Sequence, residues 1–197
     1  MSKQANKVRY GLKNVHYAPI LSIDELTQKI TYGEIKPYRG AVNLTIEPKG
    51  DKTEFYADDM AYFVENANQG YEGTYEAAEV PEHFEIDVLG RIKDVETGVI
   101  TESSEQKIKD CALLFEFDGD QHKTRHVLYQ VAFARPSVGS STKTQTTEPN
   151  TSSLSFSATG RAIDGVSRRR TTKDTPDEVY NKWFEEVFEI TPAETGE

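Results

Sequence analysis

The sequence predicts a mainly β protein, an antiparallel β-sandwich or small barrel with one or two flanking α-helices. Three observations predict it. Short runs alternate apolar and polar residues, as in "AVNLTIE" (41–47) and "GYEGTYEA" (70–77), the period of a half-buried strand. Two long apolar runs, "CALLFEF" (111–117) and "HVLYQVAFA" (126–134), flank the polar tip "DGDQHKTR" (118–125) as a hairpin. One clear helical stripe stands near the C-terminus, at 176–188, where Val179, Tyr180, Trp183, Phe184, Val187 and Phe188 recur at i, i+4 and i+8.

In chain order, residues 1–15 read as a basic arm without periodicity, followed by a folded unit over 16–190 and a tail over 191–197. Ser22 is a candidate helix cap, but "IDELTQKITYG" is too short to support a helix. In "AVNLTIE", Val42, Leu44 and Ile46 share one face and Asn43, Thr45 and Glu47 the other. "TEFYADDMAYFVE" holds a strand around Phe55 and a broken one at Tyr62 to Val64. In the next strand, Tyr71, Gly73, Tyr75 and Ala77 oppose Glu72, Thr74 and Glu76. Pro81, the acids Glu82 and Glu85, the pair Phe84 and Val88, and Gly90 then predict a short helix over 82–89, with a strand as the alternative because Phe84, Ile86 and Val88 also alternate. "RIKDVETGVIT" reads as a hairpin turning at Thr97-Gly98. After the long hairpin comes a Ser/Thr/Gly/Pro-rich stretch over 137–153, read as a long flexible loop. "LSFSATGRAI" resumes strand alternation, and "GVSRRRTTKD" reads as an edge strand. The C-terminal helix has Thr175 as its predicted cap and Pro176 in its first turn.

A chain of 197 residues suits one domain that needs no covalent staple. Apolar residues make up 36% and mean hydropathy is −0.65, yet ten Tyr and nine Phe argue for a packed core with polar appendages. The one cysteine, Cys111, lies in an apolar run and reads as a buried small hydrophobe. No leader-like or membrane-spanning apolar run is present, so folding in a reducing cytosol is expected, and the sequons at Asn43 and Asn150 read as chance matches. Charge is segregated: residues 1–46 carry +4, 47–120 carry −14, 121–173 carry +7 and 174–197 carry −7, for a net −10. Such blocks suit a subunit that meets copies of itself through unlike faces, although solvated faces cluster in the same way.

Chemistry-bearing constellations are weak. His122 and His126 lack a third ligand at metal spacing and read as a solvated turn pair. Asp118 and Asp120 begin a calcium-loop pattern without its closing Glu, and read as a turn. Asp58 with Asp59, or Glu82 with Glu85, are the acid pairs a glycoside hydrolase would need, but chance pairs are expected among 33 acidic residues. Nucleophile elbows, phosphate loops and dinucleotide fingerprints are missing from the sequence, so an enzyme, a cofactor or a metal is not expected. Arg168, Arg169 and Arg170 suggest phosphate binding or, better, salt bridges to the 47–120 block of another subunit, with alternation sending Arg169 the opposite way from its neighbours. Tyr71 and Tyr75 suggest sugar stacking, which keeps a carbohydrate-binding β-sandwich module as the alternative function.

"VRYGLKNVHYAPI", "FYADDMAYF" and "GYEGTYEAAEVPEHFEIDVLG" together resemble the major tail proteins of long-tailed bacteriophages, over roughly residues 8 to 190. The resemblance implies a β-sandwich subunit with a flanking helix, related in fold to the tube protein of the bacterial type VI secretion system. It implies self-assembly into stacked hexameric rings around a tape-measure protein, with tail terminator and distal tail proteins as further partners. DNA would be transient cargo in the lumen, unspecifically met, and no membrane partner is implied. The protein would assemble in the host cytoplasm and end in the virion tail. On that reading the 1–15 arm and the 137–153 loop bridge rings, and the lumen face is sought in the 47–120 block, with Glu72 and Glu76 as examples. The family supplies no catalytic residues to carry over.

Overall fold

The computed structural model describes residues 7–8, 10–50, 52–57, 60–119, 121–137 and 150–190, and for 52–57 and 60–66 the backbone only. Its strands are β1 (Leu12–Asp24), β2 (Lys29–Tyr32), β3 (Lys36–Pro37), β4 (Ala41–Pro48), β5 (Lys52–Ala57), β6 (Met60–Asn66), β7 (Tyr71–Ala77), β8 (Ile92–Lys93), β9 (Ile100–Thr101), β10 (Cys111–Phe117), β11 (Thr124–Phe133), β12 (Ser152–Thr159) and β13 (Arg168–Arg170). Two short helices complete it, α1 (Glu82–Asp87) and α2 (Asp177–Lys182). The main sheet runs β2-β1-β10-β11-β12-β7-β4, with β3 against β1 and β13 against β11; β5–β6 and β8–β9 are separate hairpins. Every ladder is antiparallel. β4 comes back against β1 without a ladder between them, so the sheet curls on itself as a β-sandwich.

The curl encloses an inner core. Cys111, Leu113 and Phe115 of β10 meet Leu154, Phe156 and Ala158 of β12, and Phe84 of α1 plugs the centre. The Phe84 ring packs edge-on against Tyr17 at 5.0 Å and Phe133 at 5.2 Å, and tilted against Tyr38 at 4.8 Å. Such pairs add about 0.5–1.5 kcal/mol each beyond burial. A helix of six residues is too short to stand by propensity, so this docking is what holds α1. On the opposite face, Ala112 and Leu114 join Ala18, Val127, Tyr129 and Trp183 in a second core beneath α2 and its following segment. That double burial explains why "CALLFEF" lacks alternation.

Gly73 answers why glycine interrupts an otherwise aromatic strand. β7 lies between β4 and β12, and a Cβ on Gly73 would sit 2.1 Å from the Thr45 carbonyl oxygen and 2.7 Å from the Phe156 ring. Gly73→Ala should therefore cost about 1–3 kcal/mol, read as a lowered denaturation midpoint at unchanged slope.

Several expectations are corrected. β1 begins at Leu12 and Val15 is buried, so the sheet takes up the last residues of the 1–15 arm. Ser22 lies within β1; the chain turns after it because Asp24 Oδ1 accepts the N–H groups of Leu26 and Thr27 at 2.9 and 3.2 Å. A register shift between Ala41 and Asn43 turns Val42 out to solvent and brings Ala41 to the core with Leu44 and Ile46. Ser152 starts β12, so only 138–149 of the 137–153 stretch lies outside the described residues, as do the 191–197 tail and Asp58 and Asp59. The C-terminal helix stops at Lys182 instead of continuing to 188. The Tyr180 carbonyl is taken by Arg125 Nη1 and by the Trp183 N–H at 3.3 Å, which tightens the last turn. Pro176 holds the cap position without a side-chain bond, while Thr175 Oγ1 accepts the Thr172 N–H at 2.8 Å.

Candidate functional site

Of the two acid pairs the sequence offers, Glu82 and Glu85 are committed to ion pairs. Glu82 meets Lys93 Nζ at 2.7 Å, and Glu85 pairs with Arg91, whose other nitrogen reaches Glu102 at 2.9 Å. These contacts fasten the β8–β9 hairpin to α1. Asp118 lies between Lys13 and Lys123, and the Lys13 ammonium holds its carboxyl below the usual carboxylate range. Among the described residues no group of three His, Cys, Asp or Glu side chains is arranged to hold a metal ion. Cys111 is fully buried, and burial pushes its thiol far up, away from thiolate chemistry.

The histidines differ from expectation. β11 starts at Thr124, which carries His126 into the sheet, where it is buried and stacked on Phe115 at 5.0 Å with a 7° tilt. His122 packs near the Tyr180 ring at 5.2 Å. Within the arginine run, Arg169 is engaged inside the chain: it reaches Glu189 at 3.6 Å and donates to Tyr129 Oη at 3.0 Å. Arg168 lies over the Tyr71 ring at 5.2 Å. Tyr75 is fully buried with its hydroxyl donated to the Tyr38 carbonyl at 3.3 Å. A two-tyrosine sugar platform is therefore not formed.

What the fold does assemble is a polar face. On the outer side of β4, β7 and β12, register aligns three rows across the strands: Glu47, Glu72 and Ser157; Thr45, Thr74 and Ser155; Asn43, Glu76 and Ser153. Asn43, Thr45, Glu47, Glu72, Ser153 and Ser155 are exposed, and the inner-facing neighbours on the same strands are apolar. Glu47 and Glu72 stand directly opposite one another. Like charges so placed are destabilising, and the nearest compensation is Lys49, 3.6 Å from Glu72. Glu76 accepts the Thr151 hydroxyl at 2.5 Å. Sequence alternation identified the β4 and β7 members of this face, while the β12 serines needed the strand order. Glu116 was missed altogether; its signal was a lone acid inside "CALLFEF".

Large apolar side chains are exposed at two hairpins. Leu26 at the β1–β2 turn and Val95 at the β8–β9 turn are each 96% exposed, with Leu21, Ile92 and Val99 exposed beside them. Single exposed apolar residues need no explanation; a contiguous patch of them is what marks a contact surface. No described helix is long and apolar enough to cross a membrane. No protein-family model matches the chain, and no curated protein matches it.

Proposed function

We propose that this chain is a self-assembling structural subunit of a tail tube, forming stacked hexameric rings that conduct DNA, with no catalytic role. The observation that carries the proposal is the acidic, small-residue face on β4, β7 and β12. A face kept polar while placing Glu47 opposite Glu72 gives up stability locally, which is reasonable where function demands the charge. Repeated around a ring, it would line a channel that repels phosphate and lets DNA slide. The exposed hairpin side chains then serve as contacts between copies, and the opposed charge blocks steer a heterologous interface. On this reading the protein works in the virion tail, with tape-measure, terminator and distal tail proteins as partners.

Electron microscopy of purified, concentrated protein tests the proposal: rings or hollow tubes are expected, and compact monomers under all conditions would refute it. Leu26→Asp with Val95→Asp should abolish assembly while leaving the melting transition within about 0.5 kcal/mol of the parent, as surface changes do. Glu47→Lys, Glu72→Lys and Glu76→Lys together should leave tubes that retain DNA at low salt, where the parent tubes release it.

A further inference from the structure

The segment that covers the outer core carries a groove of about 400 Å³ along α2 and the turn after it. Val179, Trp183, Val187 and Phe188 line its floor, and Glu178 and Glu186 stand on its rim. Residues 174–190 hold six acidic side chains against one basic, Lys182. Lys182 lies 3.6 Å from Glu178, and Glu189 is engaged by Arg161 and Arg169, so the residual rim charge is negative. An apolar floor with an acidic rim fits an extended basic segment that places apolar side chains on alternate positions.

The chain contains such a segment. Residues 1–10, "MSKQANKVRY", carry Lys3, Lys7 and Arg9 and no acid. Val8 and Tyr10 are 56% and 58% exposed. In an extended conformation Val8 and Tyr10 point to one side and Lys7 and Arg9 to the other. We propose that residues 1–10 of one copy seat in the α2 groove of a second copy, apolar side chains to the floor and cations toward Glu178 and Glu186. This rests on the self-assembly reading and assigns one of its contacts. Charge complementarity selects the occupant: three cations and no acid in residues 1–10 meet a segment in which six acids outnumber one base. Seating on another copy follows from the exposure of Val8 and Tyr10 even though β1 passes beside the C-terminal segment, with the His16 ring 4.9 Å from Phe184.

A cross-linking experiment tests it. Full-length chains bearing Val8→Cys are mixed with chains bearing Glu186→Cys under mild oxidation, with the buried Cys111 left in place, and association is followed in the same samples by light scattering. Disulfide-linked pairs containing one chain of each kind are expected. Glu178→Lys in the second chain should lower their yield about fivefold at about 0.1 M salt, where the screening length is about 10 Å. Association without mixed cross-links would overturn the arm-in-groove contact and leave self-assembly standing. In a further sample, chains carrying both substitutions, a cross-link that forms within single chains and never between them would overturn seating on a second copy. Equal yield with Glu178→Lys would overturn the charge-matched rim, and no association in any sample would overturn both proposals.

Discussion

Arg125→Ala should destabilise the protein by about 3–5 kcal/mol, because it leaves a buried carboxylate without its counter-charge. Glu116 is fully buried, and Arg125 Nε donates to its Oε2 at 3.0 Å. Its other contacts are weaker: the Asn14 amide at 3.3 Å and Lys123 Nζ at 3.9 Å. The same guanidinium also holds the outer layer in place. It lies 3.9 Å above the Tyr180 ring and 4.9 Å from that of Phe184, and donates to the Tyr180 carbonyl. One substitution thus removes an ion pair, two ring contacts and the bond that ends α2. Urea denaturation measures the cost as a lowered midpoint. The comparison that isolates the charge is Glu116→Leu with Arg125→Met, which should recover most of the loss, since a well-packed apolar pair often replaces a buried ion pair at no cost. A loss below about 1 kcal/mol for Arg125→Ala would mean that the pair behaves as a solvated one.

Glu116 also shows where sequence reading ran out. Local patterns made most strands legible: alternation in 152–159 put Leu154 and Phe156 on one apolar face, and that in 71–77 separated the two faces of β7, although Tyr75 was read as available to a sugar and is buried. Non-local partners did not announce themselves. His126 looked like a turn residue because its burial depends on the β10 partner strand, whose Phe115 and Phe117 rings lie against it. The C-terminal helix looked longer because its apolar stripe continues to Phe188. That stripe meets the sheet after Lys182 through turns: Arg125 binds the Tyr180 carbonyl in the last turn of α2, and Tyr129 binds the Phe188 carbonyl beyond it. For the proposed functional face, two strands of the polar rows were visible in the alternation of 43–47 and 72–76. The third was hidden, because nothing in "SSLSFSAT" says that β12 pairs with β7.

Trp183→Ala should cost about 3–5 kcal/mol, the range for removing a buried large aromatic. Trp183 is 3% exposed, donates its Nε1–H to the His126 carbonyl at 3.3 Å, and stacks on Phe188 at 5.3 Å. Beneath it lie Ala18, Ala112, Leu114, Val127 and Tyr129, whose hydroxyl donates to the Phe188 carbonyl at 2.5 Å. Losing the indole therefore opens a cavity under the whole segment and loosens the Arg161–Glu189 pair that pins its far end. Trp183→Phe, which keeps most of the apolar volume but not the donor, should cost less than half as much. Because Trp183 is the one tryptophan in the chain, its emission in the parent protein reports the outer layer while far-ultraviolet circular dichroism reports the sheet. Coincident urea transitions would make the segment an integral layer of one cooperative unit. A fluorescence transition at lower urea would mean that the segment opens by itself. In that case the groove on α2 exists only while the layer is docked, and arm binding would have to stabilise the layer by mass action as well as join two copies.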